Sequence, residues 1–298
     1  MVVLRLSGWS SGPYVAVLLV GLPLVLLPAW LVLAVAALRR DAVLGLVAAG
    51  LVAAHLLVVA PGLGAAPVPA AAADAPRLRV VTANVLSTNP DLEHAAAALR
   101  ALEADVLVVV ELRPRVLEAL RRAGVLEELP YTTASGHPGD VELFSRLPLR
   151  DAGRTEAVPG LPQPRAVVEV AGVEVRLRGA HPLPPVDGYE DEGRASLEGL
   201  RTEVGAEPLP MVVAGDLNGD RDLPLFRGLL DEGLRDAAEE RGRGLSATWP
   251  QALPVLALDH VLVRDGRGGR LVVLSQREAA VPGSDHRAVV ADLAVLAG

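Results

Sequence analysis

Two long uncharged apolar runs near the N-terminus restrict most strongly what this chain can fold into. The first extends from Tyr14 to Leu38, and the second extends from Ala42 to about Gly62 with His55 as its one ionisable side chain. Each run is long enough to cross a bilayer as a helix. The triplet Arg39-Arg40-Asp41 separates them, so the sequence predicts a transmembrane helical hairpin in residues 1–62, with spans at about 14–38 and 42–62.

A cleaved signal peptide or a soluble helix is the alternative to this hairpin. The first run is longer than the apolar region of a signal peptide and a second span follows it directly, and both features favour the hairpin. Arg39 and Arg40 favour a cytoplasmic turn, against a weaker opposite effect of Arg5. The expectation is a two-span protein of the cell membrane, with the lipid bilayer as its partner and its C-terminal domain outside the cytoplasm.

The rest of the chain is predicted to be a linker followed by one folded unit. Residues 63–76 are rich in Ala and Pro, and Asp74 is their one charge, a composition typical of an extended linker. Residues 77–298 are long enough to bury a sizeable core. The absence of Cys excludes disulfides, zinc–thiolate sites and a cysteine nucleophile. A net charge of −8 without any Lys is poorly suited to tight, sequence-neutral binding of duplex nucleic acid.

Polar side chains stand at the ends of three apolar segments that read as buried strands. The segment 211–214 ends at Gly215 and is followed by Asp216 and Asn218, which project to one face of an extended chain. The segments 77–83 and 105–110 end at Asn84 and Glu111. Carboxylate and amide oxygens suit Mg²⁺, so these ends together predict one metal site. Taken singly, each residue could simply terminate a strand.

Two histidines complete the set of candidate residues. His181 follows a predicted strand at 173–179 and precedes Pro182. A further strand, 256–263, contains Asp259 and His260, which are adjacent and therefore face opposite ways. Ser284-Asp285-His286 precedes the last predicted strand, 287–293. A buried carboxylate needs a partner, and the pairing of Asp259 with His286 would fix the imidazole tautomer and favour its cationic form.

The ordered set Asn84, Glu111, His181, Gly215-Asp216-Leu217-Asn218, Asp259 and Ser284-Asp285-His286 resembles the endonuclease/exonuclease/phosphatase superfamily across residues 77–298. The resemblance implies an α/β fold, a four-layer αββα sandwich of two packed mixed β-sheets, and hydrolysis of phosphoesters with Mg²⁺, or Mn²⁺ in its place. It implies metal binding by Glu111 with Asn84, assisted by Asp285. It further implies that Asp216 orients or deprotonates water, that Asn218 contacts phosphate, and that His181 and the Asp259–His286 pair stabilise charge on the phosphoryl oxygens.

The combination of two spans, an Ala/Pro linker and this domain is similar to membrane-anchored bacterial members of the superfamily, such as teicoplanin-resistance-type phosphatases. We therefore expect a membrane-anchored Mg²⁺-dependent phosphoesterase that uses in-line water attack, with lipid-linked or membrane phosphates favoured as substrates and no protein partner implied. A surface nuclease acting on nucleic acid is one alternative. Leu86 stands where some repair nucleases carry an acidic residue, which disfavours a repair role. A non-catalytic membrane scaffold is the other alternative.

Overall fold

The computed structural model describes residues 13–133, 139–155, 162–184 and 188–298; Arg5, used in the topology argument, lies outside them. The strands are β1 (Arg77–Asn84), β2 (Val106–Val110), β3 (Tyr131–Thr132), β4 (Val141–Ser145), β5 (Arg150–Thr155), β6 (Gln163–Val170), β7 (Val173–Ala180), β8 (Met211–Asp216), β9 (Arg235–Asp236), β10 (Asp259–Arg264), β11 (Gly269–Ala280) and β12 (Arg287–Ala297). The α-helices are α1 (Pro13–Val20), α2 (Leu22–Leu26), α3 (Pro28–Arg39), α4 (Ala42–Val59), α5 (Leu92–Arg100), α6 (Pro114–Arg122), α7 (Val125–Glu128), α8 (Glu190–Ala206), α9 (Pro224–Asp231) and α10 (Ala237–Glu240).

The strands form two six-stranded sheets that pack face to face. The first sheet has the order β11-β12-β1-β2-β4-β3, and the second has the order β5-β6-β7-β8-β10-β9. Both sheets are mixed, because β1 and β2 run parallel, as do β7 and β8, whereas their other neighbours run antiparallel. Helices α5, α6 and α7 cover the outer face of the first sheet, and α8 and α9 cover that of the second. The predicted four-layer αββα sandwich is confirmed.

The alternation of side chains along each strand explains this layering. In β1, Leu78 and Val80 belong to the core between the sheets, while Val81 and Ala83 pack under the outer helices. Strand β2 is apolar throughout because both of its faces are covered. Asn84 continues the inward-facing series of β1 at the edge of the core, so the chain itself carries a polar side chain to the boundary between the two sheets.

One edge of the sandwich collects the ends of several strands. The parallel pairs β1–β2 and β7–β8 finish there, and β10 and β12, which run antiparallel to β8 and β1, begin there. Asp259, the first residue of β10, is paired directly with Asp216, the last residue of β8. The topology therefore brings residues far apart in sequence to one boundary between the sheets.

Strands β10 and β11 are among those that differ from the sequence expectation. Strand β10 begins at Asp259 rather than at Leu256, because the backbone of Leu256 bonds with Trp249 in the preceding loop and leaves the sheet. Strand β11 is twelve residues long, yet the sequence analysis did not identify it. Its second half, with Arg277 and Glu278, pairs with β12 at the edge of the first sheet. Partly exposed edge strands of this kind lack a clear apolar pattern.

The predicted first span, 14–38, is divided into three helices. Pro23 and Pro28 stand in the first turns of α2 and α3, where proline is tolerated but ends the preceding hydrogen-bond ladder. Two helical segments of the described chain are long and apolar enough to cross a membrane, Leu22–Arg39 and Ala42–Gly62, and most of their residues are exposed. In contrast, α1 packs against the folded domain, where Ala16 and Leu19 are buried beside Phe226.

The segment predicted as a linker makes contacts with the domain. Ala66 donates its backbone N–H to the carbonyl of Glu240 (2.9 Å), and Gly244 donates to Gly62 (2.8 Å). Ala72, in the short 3₁₀ helix Ala70–Ala72, is buried against Ala294. The predicted linker, residues 63–76, therefore packs along the surface of the domain.

Candidate active site

Asp216 lies at the centre of a group of polar side chains on the boundary between the two sheets. Its side chain is almost fully buried. Its Oδ1 accepts a hydrogen bond from the backbone N–H of Asn218 (2.9 Å), and its Oδ2 accepts one from Asn84 Nδ2 (3.1 Å). The Nε2 atoms of His286 and His181 lie 3.7 and 3.9 Å from the same Oδ2. Asp216 thus contacts or faces residues contributed by both sheets.

Gly215 allows this carboxylate to occupy its position. A Cβ atom at residue 215 would overlap the backbone carbonyl oxygen of Ala180 on the neighbouring strand β7. A backbone carbonyl in a paired strand cannot move aside as a flexible side chain can. Glycine is therefore required here by the close approach of two strands, and the site depends on it.

His286 is paired with Asp259 on one side of Asp216. His286 Nδ1 lies 2.8 Å from Asp259 Oδ2, and both side chains are buried. Burial by itself lowers the pKa of His286, but the hydrogen bond and charge of Asp259, together with Asp216, raise it to about 9. Burial and the neighbouring Asp216 raise the pKa of Asp259. The imidazole is consequently a cation at neutral pH, with its Nε2 atom 3.7 Å from Asp216 Oδ2.

His181 forms a second carboxylate–imidazole pair on the other side of Asp216. Its Nδ1 lies 2.6 Å from Asp140 Oδ2, and Arg113 Nη2 lies 3.7 Å from Asp140 Oδ1. Burial lowers the pKa of His181, but its hydrogen bond to Asp140 and the charges of Asp216, Asp140 and Glu111 outweigh burial and raise that pKa. The same contact, working against burial, lowers the pKa of Asp140.

Sequence reasoning missed Asp140. It precedes β4, a strand that runs antiparallel to β2 and starts at the same edge of the sheet where β2 ends. The search for polar residues considered mainly the ends of strands. Asp140 instead directly precedes an antiparallel strand, as His286 does before β12, and this position is the signal that could have identified it.

Glu111 and Asn84 lie together at the carboxyl ends of β2 and β1. Asn84 Nδ2 donates to Glu111 Oε1 (3.0 Å), and the backbone N–H of Ser87 donates to Glu111 Oε2 (2.7 Å). Burial raises the pKa of Glu111, but these hydrogen bonds and the charge of His181 lower it below its usual value. Glu111 is therefore an ionised, partly exposed carboxylate with a left-handed backbone (φ 59°) that turns it toward the site.

Two other candidate residues have partners of their own. Asn218 Nδ2 donates to the carbonyl of Pro182 (2.9 Å), which ties the end of β8 to the loop that carries His181. Asp285 is exposed at the rim, and its Oδ2 accepts a hydrogen bond from Trp249 Nε1 (3.0 Å). The structure therefore brings Asn84, Glu111, His181, Asp216, Asp259 and His286 into one cluster, with Asn218 beside it and Asp285 at its rim.

His260 faces away from this cluster. Its Nδ1 lies 2.6 Å from Asp236 Oδ2, and its ring contacts Phe226 beneath the outer helices. Burial lowers the pKa of His260, but the charge of and hydrogen bond to Asp236 raise it to about 9. Of the adjacent pair, only Asp259 faces the site, as the alternation of a strand requires.

Comparison with known families decides which class of protein has this site. The model of the Endonuclease/Exonuclease/phosphatase family matches residues 81–286, a range that includes every clustered residue. The chain belongs to this family. Members of the Endonuclease/Exonuclease/phosphatase family are metal-dependent hydrolases of phosphoric esters, so this chain is an enzyme of that class. A search of curated proteins finds no significant match.

Solved structures show the same fold. The chain is similar to humanized D. rerio TDP2, with a TM-score of 0.60 and 17% identity over 73% of this chain and 98% of that one. It is similar to an endonuclease/exonuclease/phosphatase from Beutenbergia cavernae DSM 12333 (TM-score 0.55, 20% identity, 75% of this chain and 72% of that one). It is also similar to a mutant of Staphylococcus aureus beta toxin with bound magnesium ions (TM-score 0.54, 17% identity, 72% of this chain and 98% of that one).

The donor set fits the divalent cation that the Endonuclease/Exonuclease/phosphatase family uses. Two carboxylates, Glu111 and Asp216, both accept hydrogen bonds from Asn84 Nδ2, and carboxylate oxygens suit a hard cation. The amide oxygen of Asn84 accepts a hydrogen bond from the backbone N–H of Leu86. A second grouping exists, in which ligand atoms of Asp216, Asp259 and His286 lie within 4.8 Å of one another. Since Nδ1 of His286 is engaged with Asp259, that imidazole offers only Nε2.

Proposed function

We propose that the chain is a membrane-anchored, Mg²⁺-dependent phosphoesterase that hydrolyses a lipid-linked phosphate by in-line attack of water. The observation that carries the proposal is that Nε2 of His181 and Nε2 of His286 lie 3.9 and 3.7 Å from one oxygen of Asp216. A carboxylate that orients water, flanked by cationic donors for developing negative charge, is what hydrolysis of a phosphoester requires.

Each residue then has a separate role. Asp216 holds the attacking water or takes its proton, and His181 and His286 donate to the phosphoryl oxygens. Asp140 and Asp259 are positioning residues that hold the two imidazoles in their protonated form through bonds of 2.6 and 2.8 Å. Asn218 contacts the phosphate. To do so, its side-chain amide releases the carbonyl of Pro182 and donates to the substrate instead.

Glu111 and Asn84 are the residues that would hold the metal, with Asp285 at the rim placing metal or water. The ionised state of Glu111, which follows from its lowered pKa, supports this assignment. Asp216 also lies close to the two residues, since it accepts a hydrogen bond from Asn84. A bound Mg²⁺ supplies positive charge that stabilises the non-bridging oxygens.

Anchoring supports a membrane lipid as the source of the phosphate. Leu22–Arg39 and Ala42–Gly62 have the length and hydropathy of membrane spans. An anchored site meets lipid head groups at a high effective concentration. The two arginines at the turn, Arg39 and Arg40, favour a cytoplasmic turn and an extracytoplasmic domain. The similarity to D. rerio TDP2, solved in complex with a single-strand DNA product, makes nucleic acid the competing substrate.

The test is a substrate panel with the full chain in vesicles. Phosphate release from phospholipid and from polyprenyl pyrophosphate is compared with cleavage of plasmid DNA, with Mg²⁺ or with EDTA. We expect hydrolysis of a lipid substrate that EDTA abolishes and Mg²⁺ restores. Asp216→Asn serves as the blank, and Asp151→Asn, at an exposed carboxylate on the edge strand β5, is the matched control that keeps full activity.

Three results would contradict parts of this proposal. Hydrolysis that survives EDTA would remove the metal requirement. Faster turnover of plasmid DNA than of every lipid would make the chain a nuclease. Equal activity of Asp216→Asn and Asp151→Asn would show that the cluster around Asp216 is not the active site, and would favour a non-catalytic scaffold.

A further inference from the structure

The loop that precedes β10 carries an exposed apolar surface. Residues 244–258 contain no charged side chain, although the loop belongs to the folded domain. Leu245 is 57% exposed, Leu253 is 73% exposed and Val255 is 40% exposed. We call residues 244–258 the apolar loop. An uncharged segment that exposes several large apolar side chains indicates a surface that meets something other than water.

The apolar loop and the two candidate spans line one groove. Its lining residues from the helices are Val20, Pro23, Leu24, Leu27, Trp30, His55, Leu56 and Val59, and those from the loop are Gly244, Leu245, Ser246, Ala247, Pro254, Val255 and Ala257. Asp220 is the one acidic residue on the lining, and burial together with Asp222 raises its pKa to about 8, so it is uncharged at neutral pH. The groove is therefore apolar along most of its wall.

The position of the groove along the spans places it below a membrane surface. The first span has 18 residues, Leu22–Arg39, and is therefore about 27 Å long at the rise of an α-helix. A hydrocarbon core of about 30 Å requires nearly all of that length. Trp30 lies eight residues along this span, at a depth of about 12 Å. With the start of the span at the membrane surface, Leu27 and Trp30, which line the groove together with the loop, lie at the level of the lipid chains.

The backbone of the apolar loop is suited to that environment. A backbone N–H in hydrocarbon must have a partner within the protein. Thr248, Trp249, Leu253, Val255 and Leu256 all donate their N–H groups to carbonyls of the same loop. Pro250 and Pro254 have no N–H to satisfy. The loop therefore meets most of its hydrogen-bonding needs without water.

The same loop is bonded to the candidate active site. Thr248 Oγ1 accepts a hydrogen bond from the N–H of Asp259 (3.2 Å), and Trp249 Nε1 donates to Asp285 Oδ2 (3.0 Å). Gln251 Nε2 donates to the carbonyl of Ser284 (2.9 Å). One short segment thus connects the groove between the spans to the residues that precede and begin β10 and β12.

We propose that the apolar loop enters the hydrocarbon layer beside the two spans and that the groove between them holds a hydrocarbon chain of a membrane lipid. This inference rests on the membrane anchoring in the proposed function. The groove is continuous with the exposed apolar faces of the spans and offers few polar groups, which favours a lipid chain as occupant over a protein segment. Insertion holds the catalytic edge of the sandwich at the membrane surface, where phosphate head groups lie.

Single-cysteine labelling tests the insertion, since the chain has no native Cys. Leu253→Cys probes the apolar loop, Leu31→Cys probes the first span at a 69% exposed position, and Tyr131→Cys is the matched control at a 41% exposed position on the edge strand β3. Each full-length variant receives a polarity-sensitive fluorophore and is reconstituted in phosphatidylglycerol–phosphatidylcholine vesicles. Quenching by brominated lipids is compared with quenching by iodide present on both sides of the membrane.

We expect the labels at 253 and 31 to show blue-shifted emission and quenching by brominated lipids, and the label at 131 to be quenched by iodide. A label at 253 that behaves like the one at 131, while the label at 31 is quenched by lipid, overturns the inference and leaves the anchoring intact. Iodide quenching at 31 as well as at 253 overturns the anchoring and, with it, the insertion of the loop.

Discussion

The residues of the site form two pairs arranged around one carboxylate. His181 with Asp140, and His286 with Asp259, stand on either side of Asp216 at bonds of 2.6 and 2.8 Å. In each pair the carboxylate favours the cationic imidazole, which opposes the effect of burial. The two imidazoles, whose cationic forms are favoured, stabilise the buried charge of the central carboxylate Asp216. In the proposed mechanism, the same imidazoles act on the phosphoryl group.

Asp216→Asn should abolish catalysis without unfolding the chain. The amide keeps the size of the side chain but can neither take a proton nor hold water as a carboxylate does. General-base and positioning roles contribute on the order of 10²- to 10⁴-fold, so we expect a decrease in kcat of that size. The melting temperature should decrease, because a buried charge beside two imidazoles is lost, but circular dichroism should still show a folded protein with a cooperative transition. A decrease of less than tenfold would exclude a direct role.

Asp140→Asn should lower activity by a smaller factor. Mutation of a residue that orients a catalytic group through one hydrogen bond lowers activity roughly 10- to 100-fold. Asp140 orients His181 through a hydrogen bond to its Nδ1. We expect the loss in kcat rather than in KM, because the imidazole acts on charge that develops during the reaction. Kinetics at saturating substrate measure it, with Asp151→Asn as the unaffected control. A loss confined to KM would indicate a binding role instead.

The buried pair His260–Asp236 should make stability depend on pH. The pKa of His260 is raised to about 9 by Asp236, against the effect of burial. The contribution of this pair to the free energy of unfolding is therefore fully present below about pH 6.5 and is lost as the pH rises through about 9. Asp236→Asn removes the charge but keeps the N-cap acceptor for Ala238. We expect it to cost about 3–5 kcal/mol at pH 6, and this difference should shrink above pH 9 in urea unfolding. A difference that grows with pH would contradict the assignment.

At the scale of elements, the site exists because parallel and antiparallel strands share an edge. The carboxyl ends of β1, β2, β7 and β8 and the first residues of β10 and β12 meet there. The polar residue at the end of each apolar strand could be read from the sequence, since a buried strand is an uninterrupted apolar run. Which strands are neighbours could not be read from it, because pairing depends on contacts between residues more than two hundred positions apart, such as Arg79 with Asp292.

Gly215→Ala should disrupt the pairing of β7 and β8. The added methyl group would overlap the carbonyl oxygen of Ala180, and overpacking against backbone has a large cost, here more than about 3 kcal/mol. We expect loss of soluble folded protein or a large decrease in melting temperature, together with loss of activity. Gly64→Ala, where a Cβ meets no atom within 4 Å, is the matched control and should be neutral. Equal stability of the two variants would show that the strands can separate at little cost.

At the scale of the whole molecule, part of the N-terminal helical region packs with the folded domain. Helix α1 completes the core beneath α8 and α9, where Leu19 is fully buried beside residues of the folded domain. The segment 63–76 lies along the domain with backbone hydrogen bonds to the 240–244 region. The orientation of the catalytic edge relative to the spans is consequently set by packing rather than left to a free linker.

Leu19→Ala should destabilise the folded domain. Truncation of a buried leucine costs about 2–5 kcal/mol, and here part of the cavity opens beside α8 and α9. The neighbouring Leu18 is 42% exposed, so Leu18→Ala should change stability by less than about 0.5 kcal/mol. Thermal unfolding of both variants in detergent, followed by near-ultraviolet circular dichroism, makes the comparison. Equal effects would mean that α1 does not pack against the domain in solution.

The sequence by itself determined the central strands, the two membrane-length helices and the oxygen donors that predict a metal site at the strand ends. The four layers and phosphoester hydrolysis were implied by the resemblance to the superfamily. Periodicity and residue type are local properties, so they can be read without the fold. Only the tertiary structure decided that Asp140 holds His181, that His260 faces away from the site, that α1 belongs to the domain core and that the 244–258 loop borders the spans. Those relations depend on which distant segments pack together, and packing is a property of the whole chain.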